Sequence, residues 1–332
     1  MMGAAQRMAE LWRGGLLESW HAGHGAIVDA EGELVEAWGD PSTVIFPRSS
    51  CKMIQALPLI ESGAAEAAGL TDRHLALACA SHNGAAIHTD LVTGWLAAIG
   101  RAEADLRCGP QWPDDRAAST ALIKADARPC QIHNNCSGKH TGFLTLARHL
   151  GAGPEYVDPG HPVQRAVRAA FEEVTGEASP GFGIDGCSAP NFATSVAGLA
   201  RAMARFASAG ETDARGRAMV RLRQAMMAHP ELVAGEGRAC TELMRAMAGG
   251  AAIKTGAEAV YVAILPGRRL GIALKIVDGG TRASELAIAA LLVRAGVLES
   301  GHPATRALLD AVQLNRRGIE VGVFRAAPGF PG

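Results

Sequence analysis

The run Ser49-Ser50-Cys51-Lys52 sets a lysine three residues after a serine. Positions i and i+3 share one face of a helix, so the amine can reach the hydroxyl. A lysine amine that has given up its proton can take the proton of a serine, and the serine then becomes a nucleophile for acyl transfer. Two more short runs follow in the chain. Ser81-His82-Asn83-Gly84 brings a second hydroxyl on a loop, and Lys254-Thr255-Gly256 brings a second amine just ahead of strand-like sequence. Singly, each run fits a plainer role. Ser50 can cap a helix beside a solvated Lys52, Ser81 to Gly84 can be a turn, and Lys254 can be a surface residue entering a hairpin.

The lysine count weighs against the plainer set. Of 32 basic residues only Lys52, Lys124, Lys139, Lys254 and Lys275 are lysine. In such a background arginine serves wherever a generic cation will do. A lysine that is kept marks a task that needs proton loss or a compact amine. Lys139 lies in a second polar cluster, His133-Asn134-Asn135-Cys136-Ser137-Gly138-Lys139-His140, at the head of a predicted helix. Cys136 and Lys139 are again three apart, and Cys187 in the tight loop Gly183 to Pro190 can join them. Two thiolates, an amine and a water complete a tetrahedral zinc site. Packed cysteines beside a helix-capping lysine are the alternative reading. Cys51, Cys79, Cys108 and Cys130 read as core or loop residues, whereas Cys240 follows the Gly-rich run Ala234 to Arg238. Seven cysteines, an odd number, point to reduced thiols and not to a disulfide framework.

The elements that must position these groups fall into three stretches. His24 to Asp40 reads as a β-hairpin, with an extended run at Val44 to Pro47. From Ser49 a helical pattern runs through Met53, Ile54, Leu57 and Leu59 to Gly63. Helices are expected over 89–100, 141–150, 162–175, 193–209 and 211–228. A second hairpin spans Ala259 to Val277, followed by a helix over 282–295, a strand at 321–324 and a frayed tail at 328–332. The predicted fold is α/β (α+β): one antiparallel sheet built from both chain ends, with a helical lobe inserted between them. The chain is then a single two-lobed catalytic domain over 1–332, with a sheet lobe at about 10–48 and 251–325 and a helical lobe at about 49–250. A formal net charge of −1 argues against nucleic acid as partner. The most apolar stretch, Leu286 to Leu298, is broken by Arg294 and is too short to cross a bilayer. Met1 to Glu10 has no apolar segment of a secretory leader, so a cytoplasmic protein is expected.

The order S-x-x-K, S-x-N, K-T-G is the motif set of serine β-lactamases and penicillin-binding proteins. It points to the serine β-lactamase/glutaminase-like fold. Over nearly its whole length the sequence resembles the rhizobial-type, thermolabile L-asparaginases. The resemblance is carried by Arg13 to Ser19, Phe46 to Lys52, Ser81 to Gly84, His133 to Gly142, Gly183 to Phe192, His229 to Glu231 and Lys254 to Glu258. It implies a homodimeric amidohydrolase acting on L-asparagine, with two Ser–Lys pairs, Ser49 with Lys52 and Ser81 with Lys254. It also implies a zinc ion near the substrate, held by Cys136, Lys139 and Cys187, which modulates substrate binding and does not supply the nucleophile. Arg48, Asn83, His140, Asp185 and Cys240 match positions near the substrate pocket. Ser49 is the expected nucleophile because of its place at the head of a helix, with Ser81 as the alternative. Other readings are a glutaminase, a β-lactam hydrolase, a non-catalytic amino-acid or metal binder of the same fold, and a metal cluster that is only structural.

Overall fold

Gly14 and Gly15, both at positive φ, turn the chain from strand β1 (Gln6–Arg13) into β2 (Leu16–Val28). Glycine reaches that region without a steric cost. The computed structural model describes residues 4–332; Met1 to Gly3, the start of the leader reading, lie outside the described residues. Further strands are β3 (Leu34–Trp38), β4 (Val44–Ile45), β5 (Phe182–Ile184), β6 (Pro190–Phe192) and β7 (Thr194–Ser195). The C-terminal part adds β8 (Ala252–Gly256), β9 (Val260–Leu265), β10 (Leu270–Ile276), β11 (Asp310–Leu314) and β12 (Glu320–Ala326).

The chain divides into two compact units. The first holds residues up to Ser50, Thr194–Ser208 and Glu242–Gly332. The second holds Cys51–Ala193 and Ala209–Thr241. In the first unit one eight-stranded sheet runs in the order β11-β12-β1-β2-β10-β9-β8, with β3 also on β2. All its pairs are antiparallel, and they join the two chain ends, as the sequence pattern predicts. Helix Thr281–Arg294 packs on β1, β9 and β10 and is buried from Ala283 to Leu292 apart from Glu285.

Helix Val196–Ser208 also lies on this sheet, although its sequence position is in the middle of the chain. Gly271 on β10 is what admits it. A Cβ there would stand 2.1 Å from Ala204 N. The expected frayed tail is docked instead. Trp38 Nε1 donates to Pro331 O at 3.0 Å, Phe330 meets the Trp38 ring edge-on, and Arg294 Nη1 donates to Gly332 O at 2.9 Å. Lys275, given no role by the motifs, is partly buried and donates to Glu258 O at 2.6 Å and to Ile276 O.

The second unit is mainly helical. Helix Pro162–Thr175 has its expected bounds because three signals agree. His161 Nδ1 accepts from Val163 N–H, proline opens the first turn, and Gly176 at φ 70 closes the last. Helix Ser137–His149 is buried from Ser137 to Ala147 and packs on helix Asp72–Ala78. Gly138 permits that approach, since a Cβ would stand 2.4 Å from Leu77 O. The single helix expected from Ser49 to Gly63 is broken. A 3-10 turn, Arg48–Cys51, is followed by short helices Lys52–Gln55 and Leu57–Glu61. Pro58 has no N–H to carry the α-helical ladder across Ala56. Among the described residues no helix is long and apolar enough to cross a membrane.

Candidate active site

Ser49 sits in the 3-10 turn and not at the head of an α-helix. Side chains three apart eclipse in a 3-10 turn. The turn is closed by Pro47 O, which accepts from Ser50 N–H at 3.2 Å and Ser50 Oγ at 2.7 Å. Arg48, directly before the serine, lies at φ 52. A non-glycine residue in that region stores roughly 1–3 kcal/mol of strain, a cost that clusters at functional sites. Strand β8, which carries Lys254-Thr255-Gly256, lies against this turn at the edge of the sheet. The absent side chain of Gly256 makes the approach possible, because a Cβ would stand 2.6 Å from Pro47 O and 3.0 Å from Ser50 N. Lys254 is fully buried, and its Nζ donates to Thr255 O at 2.7 Å.

In the helical unit, Lys52 opens its short helix with the side chain buried. Its Nζ reaches Ser81 Oγ at 3.0 Å, Cys136 Sγ at 3.1 Å and the carbonyl of Ala80. Three contacts match the three N–H donors of an ammonium. Ser81 and Cys136 can each donate as well as accept. Ser81 is fixed by its own N–H, which donates to Val233 O at 2.9 Å. Asn83 is tied in the same way, to Ala234 O at 3.0 Å. Its side chain is buried against Gly235 at φ +111, where a Cβ would stand 2.4 Å from Asn83 Cγ, and Oδ1 accepts from Ala85 N–H.

Cys136 immediately precedes helix Ser137–His149, and Lys139 lies in its first turn. Cys187 rides the turn between β5 and β6, which Asp185 closes through its N–H to Ala189 O at 2.9 Å. The three donors converge. Lys139 Nζ lies 3.0 Å from Cys187 Sγ, and Cys136 Sγ donates to Asn135 Oδ1 at 3.0 Å. The Cys136 thiol, and then the Lys139 charge, hold Cys187 well below the ordinary thiol range against the opposing effect of burial. Cys187, with burial, pushes Cys136 up to about 12. Burial works against the Lys139 ammonium, yet the Cys187 and Cys136 charges outweigh it and raise the pKa. The Lys139 and Cys187 shifts run in opposite directions, each favouring the charged form of its group.

Among the described residues no three His, Cys, Asp or Glu side chains converge as a metal site. A cation here needs the lysine as third donor. Two sulfurs and one nitrogen suit a soft divalent cation such as zinc. Tetrahedral zinc keeps its S and N ligands about 3.6 Å apart. Replacing the shared protons by the ion asks Lys139 and Cys187 to part by roughly half an ångström, so the donor set fits.

The other expected residues lie as follows. Asp185 Oδ1 accepts from Gly186 N–H at 2.7 Å, and the carboxylate charge bears on Lys139 and His140. His140 is fully buried one residue after Lys139; burial first, then the Lys139 charge, push its pKa well down. Cys240 is buried in helix Ala239–Ala246. All seven cysteines are free thiols. The expected pairing of Ser81 with Lys254 draws on both units and belongs to the mechanism proposed below.

Two roles escape the motifs. His82 Nδ1 accepts from Gly84 N–H at 3.2 Å, which assigns the proton to Nε2. Nε2–H then donates to Ser137 Oγ at 2.9 Å, and Ser137 donates to Ile132 O. The Ser81 loop is thereby tied to the helix start that carries Cys136 and Lys139. Tyr156 touches His140. Its rarity is the one signal in the sequence, since the chain has two tyrosines.

A buried amine on a serine hydroxyl is one of the arrangements by which a serine can be made nucleophilic. The chain belongs to the L-asparaginase II family, whose model matches residues 9–326, and is an asparaginase-type amidohydrolase. No curated protein matches it. Among solved structures it is similar to a β-lactamase from Mycobacterium bovis, at 14% identity and a TM-score of 0.48, over 83% of this chain and 95% of that one. It is also similar to Mglu in its native form, at 15% identity and a TM-score of 0.42. That match covers 85% of this chain and 65% of Mglu, so the chain spans less than two thirds of Mglu's length. A third likeness is to an octameric penicillin-binding protein homologue from Pyrococcus abyssi, at 12% identity and a TM-score of 0.36, over 82% of this chain and 73% of that one. Likeness at this level says nothing of activity.

Proposed function

We propose that this protein is an L-asparaginase, which hydrolyses L-asparagine to L-aspartate and ammonia through a serine ester. The observation that carries the reading is the buried Lys52 amine on the Ser81 hydroxyl, three residues beyond Ser49, in a chain of the L-asparaginase II family.

In this mechanism Ser49 Oγ attacks the side-chain amide carbon, and its proton passes to the amine of Lys52. Backbone N–H groups near Ser49 steady the oxyanion. Ser81 and Lys254 relay a proton to the departing nitrogen, which leaves as ammonia. Water then attacks the ester and gives its proton to the same relay, and aspartate is freed as Ser49 Oγ takes its proton back from Lys52. Arg48 grips the α-carboxylate and Asp185 the α-ammonium, while Asn83, His140 and Cys240 complete the pocket.

Cys136, Lys139 and Cys187 would hold zinc, whose positive charge, when bound, would favour the anionic groups of the substrate. The serine hydroxyl, and not a metal-bound water, is the nucleophile. The working form is a homodimer in the cytoplasm, with no nucleic-acid or membrane partner.

The test is ammonia release from asparagine, glutamine and a β-lactam, each with and without zinc. Turnover of asparagine well above the others supports the reading. Comparable turnover of glutamine makes the enzyme a glutaminase, since one extra methylene discriminates weakly. Tight asparagine binding without ammonia release makes it a binder.

A further inference from the structure

His140 is buried, yet its Nε2 has no hydrogen-bond partner among the described residues. A buried imidazole N–H without a partner is costly, and it persists where something else supplies the acceptor. The other ring nitrogen is well accounted for. Nδ1 lies 2.9 Å from the Tyr156 hydroxyl, and that hydroxyl accepts from Arg107 N–H at 2.8 Å.

The proton positions follow by counting. Tyr156 Oη has one proton to give and has already accepted the Arg107 N–H. His140 Nδ1 is the only acceptor that the described residues offer it. If Tyr156 donates, Nδ1 is an acceptor and the ring carries its proton on Nε2. If His140 donated from Nδ1 instead, the Tyr156 proton and the Nε2 lone pair would both be left buried without a partner among the described residues. The first arrangement leaves one group unsatisfied and the second leaves two.

Two packing facts hold the pair in register. Tyr156 is fully buried, and Gln164 Nε2 donates to its main-chain carbonyl at 2.7 Å. The His140 ring packs edge-on against Tyr156 and Phe143. His140 follows Lys139 in the first turn of helix Ser137–His149, and Lys139 Nζ lies on Cys187 Sγ, so the ring is next to the proposed machinery.

We infer that Tyr156 is a positioning residue: it fixes the tautomer of His140 so that Nε2–H is offered to an oxygen of the bound substrate. This deepens the proposed asparaginase reading and rests on it. The occupant is an acceptor-only oxygen, a carboxylate or an amide carbonyl. A second amine or ammonium at that point would leave the N–H unmet.

Two measurements decide the matter. The first uses the unaltered protein with 15N-labelled histidine. His140 is expected as a single tautomer, Nε2 protonated and Nδ1 a hydrogen-bonded acceptor, and the Nε2 signal moves when asparagine or aspartate is added. A proton on Nδ1, or an Nε2 signal unmoved by saturating ligand, overturns the inference. The second is a double-mutant cycle. Tyr156→Phe is expected to raise KM for asparagine about tenfold, the effect of one lost donor, with kcat changed less. His140→Gln restores an N–H near the Nε2 position, and in that background Tyr156→Phe has no further effect on KM. An equal loss in both backgrounds makes Tyr156 merely structural and overturns the inference. If the unaltered protein releases no ammonia, the proposed function fails, and the tautomer measurement still judges Tyr156 and His140.

Discussion

Lys52 Nζ lies 3.0 Å from Ser81 Oγ, with both residues buried. The pair is not the S-x-x-K pair that the motif suggests by itself. It joins the first motif to the second, and the same amine also meets Cys136 of the thiol cluster. Lys52→Met keeps the bulk and removes the amine. Ammonia release from asparagine is expected to fall at least about a hundredfold, the scale of a lost general base. Ser49→Ala is expected to be as damaging, and near-full activity in that variant would sink the assignment of the nucleophile. Mass spectrometry of a trapped acyl-enzyme locates the ester, and an acyl group on Ser81 would exchange the roles of the two serines.

Zinc uptake separates the lysine cluster from a merely packed one. The unaltered protein is expected to bind zinc and to release protons as it does so, because Lys139 and Cys136 carry protons that the ion displaces. Lys139→Arg keeps the charge but not the lone pair, so bound metal should be lost. Elemental analysis and a pH-stat record both quantities. Chelation should raise KM for asparagine before it lowers Tm. Unfolding without an earlier change in KM would mean that the metal only supports the fold.

Gly256→Ala tests how closely β8 must lie on the Ser49 turn. The added Cβ would meet backbone atoms, which cannot rotate away. A loss of about 1–3 kcal/mol in urea unfolding is expected, together with lowered kcat. Gly267→Ala meets nothing within 4 Å and serves as the control, with about 0.5 kcal/mol or less expected.

Glu10 supplies an acid-side signature of stability. Burial opposes its charge, but hydrogen bonds from Arg7 and Trp12 outweigh burial and lower its pKa beneath the ordinary 4.5. A carboxylate depressed in the folded state stabilises fully above the unfolded value and stops doing so as pH falls through the folded one. Glu10→Gln should therefore lower Tm at pH 7, with the gap to the parent closing below about pH 4.5. A gap of constant size from pH 7 to pH 3 would refute the charge argument.

The sheet from both chain ends was legible because β9 and β10 are short apolar runs around Pro266 and Gly267, and β2 and β3 flank the turn at Asp29 to Gly32. β1 was not legible. Its ladder is interrupted by register shifts between Arg7 and Ala9 and between Leu11 and Trp12, and it buries a glutamate. Both features erase the alternation that marks a strand. The motif residues could be named from spacing and from lysine scarcity. Their partners could not. Lys52 finds Cys136, and His82 finds Ser137, across long stretches of chain, and nothing local in the sequence encodes such meetings. Tyr156 and His140 are closer in sequence, but the contact depends on the burial of both rings.

The docked segment Phe330 to Gly332 gives the molecule an optical reporter. Trp38 is one of five tryptophans, and its indole is buried with the N–H on Pro331 O and the ring against Phe330. Anything that lifts Phe330 to Gly332, such as Phe330→Asp, would wet that indole and shift its fluorescence to the red. The emission of Trp38 then follows the seating of the tail on the sheet unit.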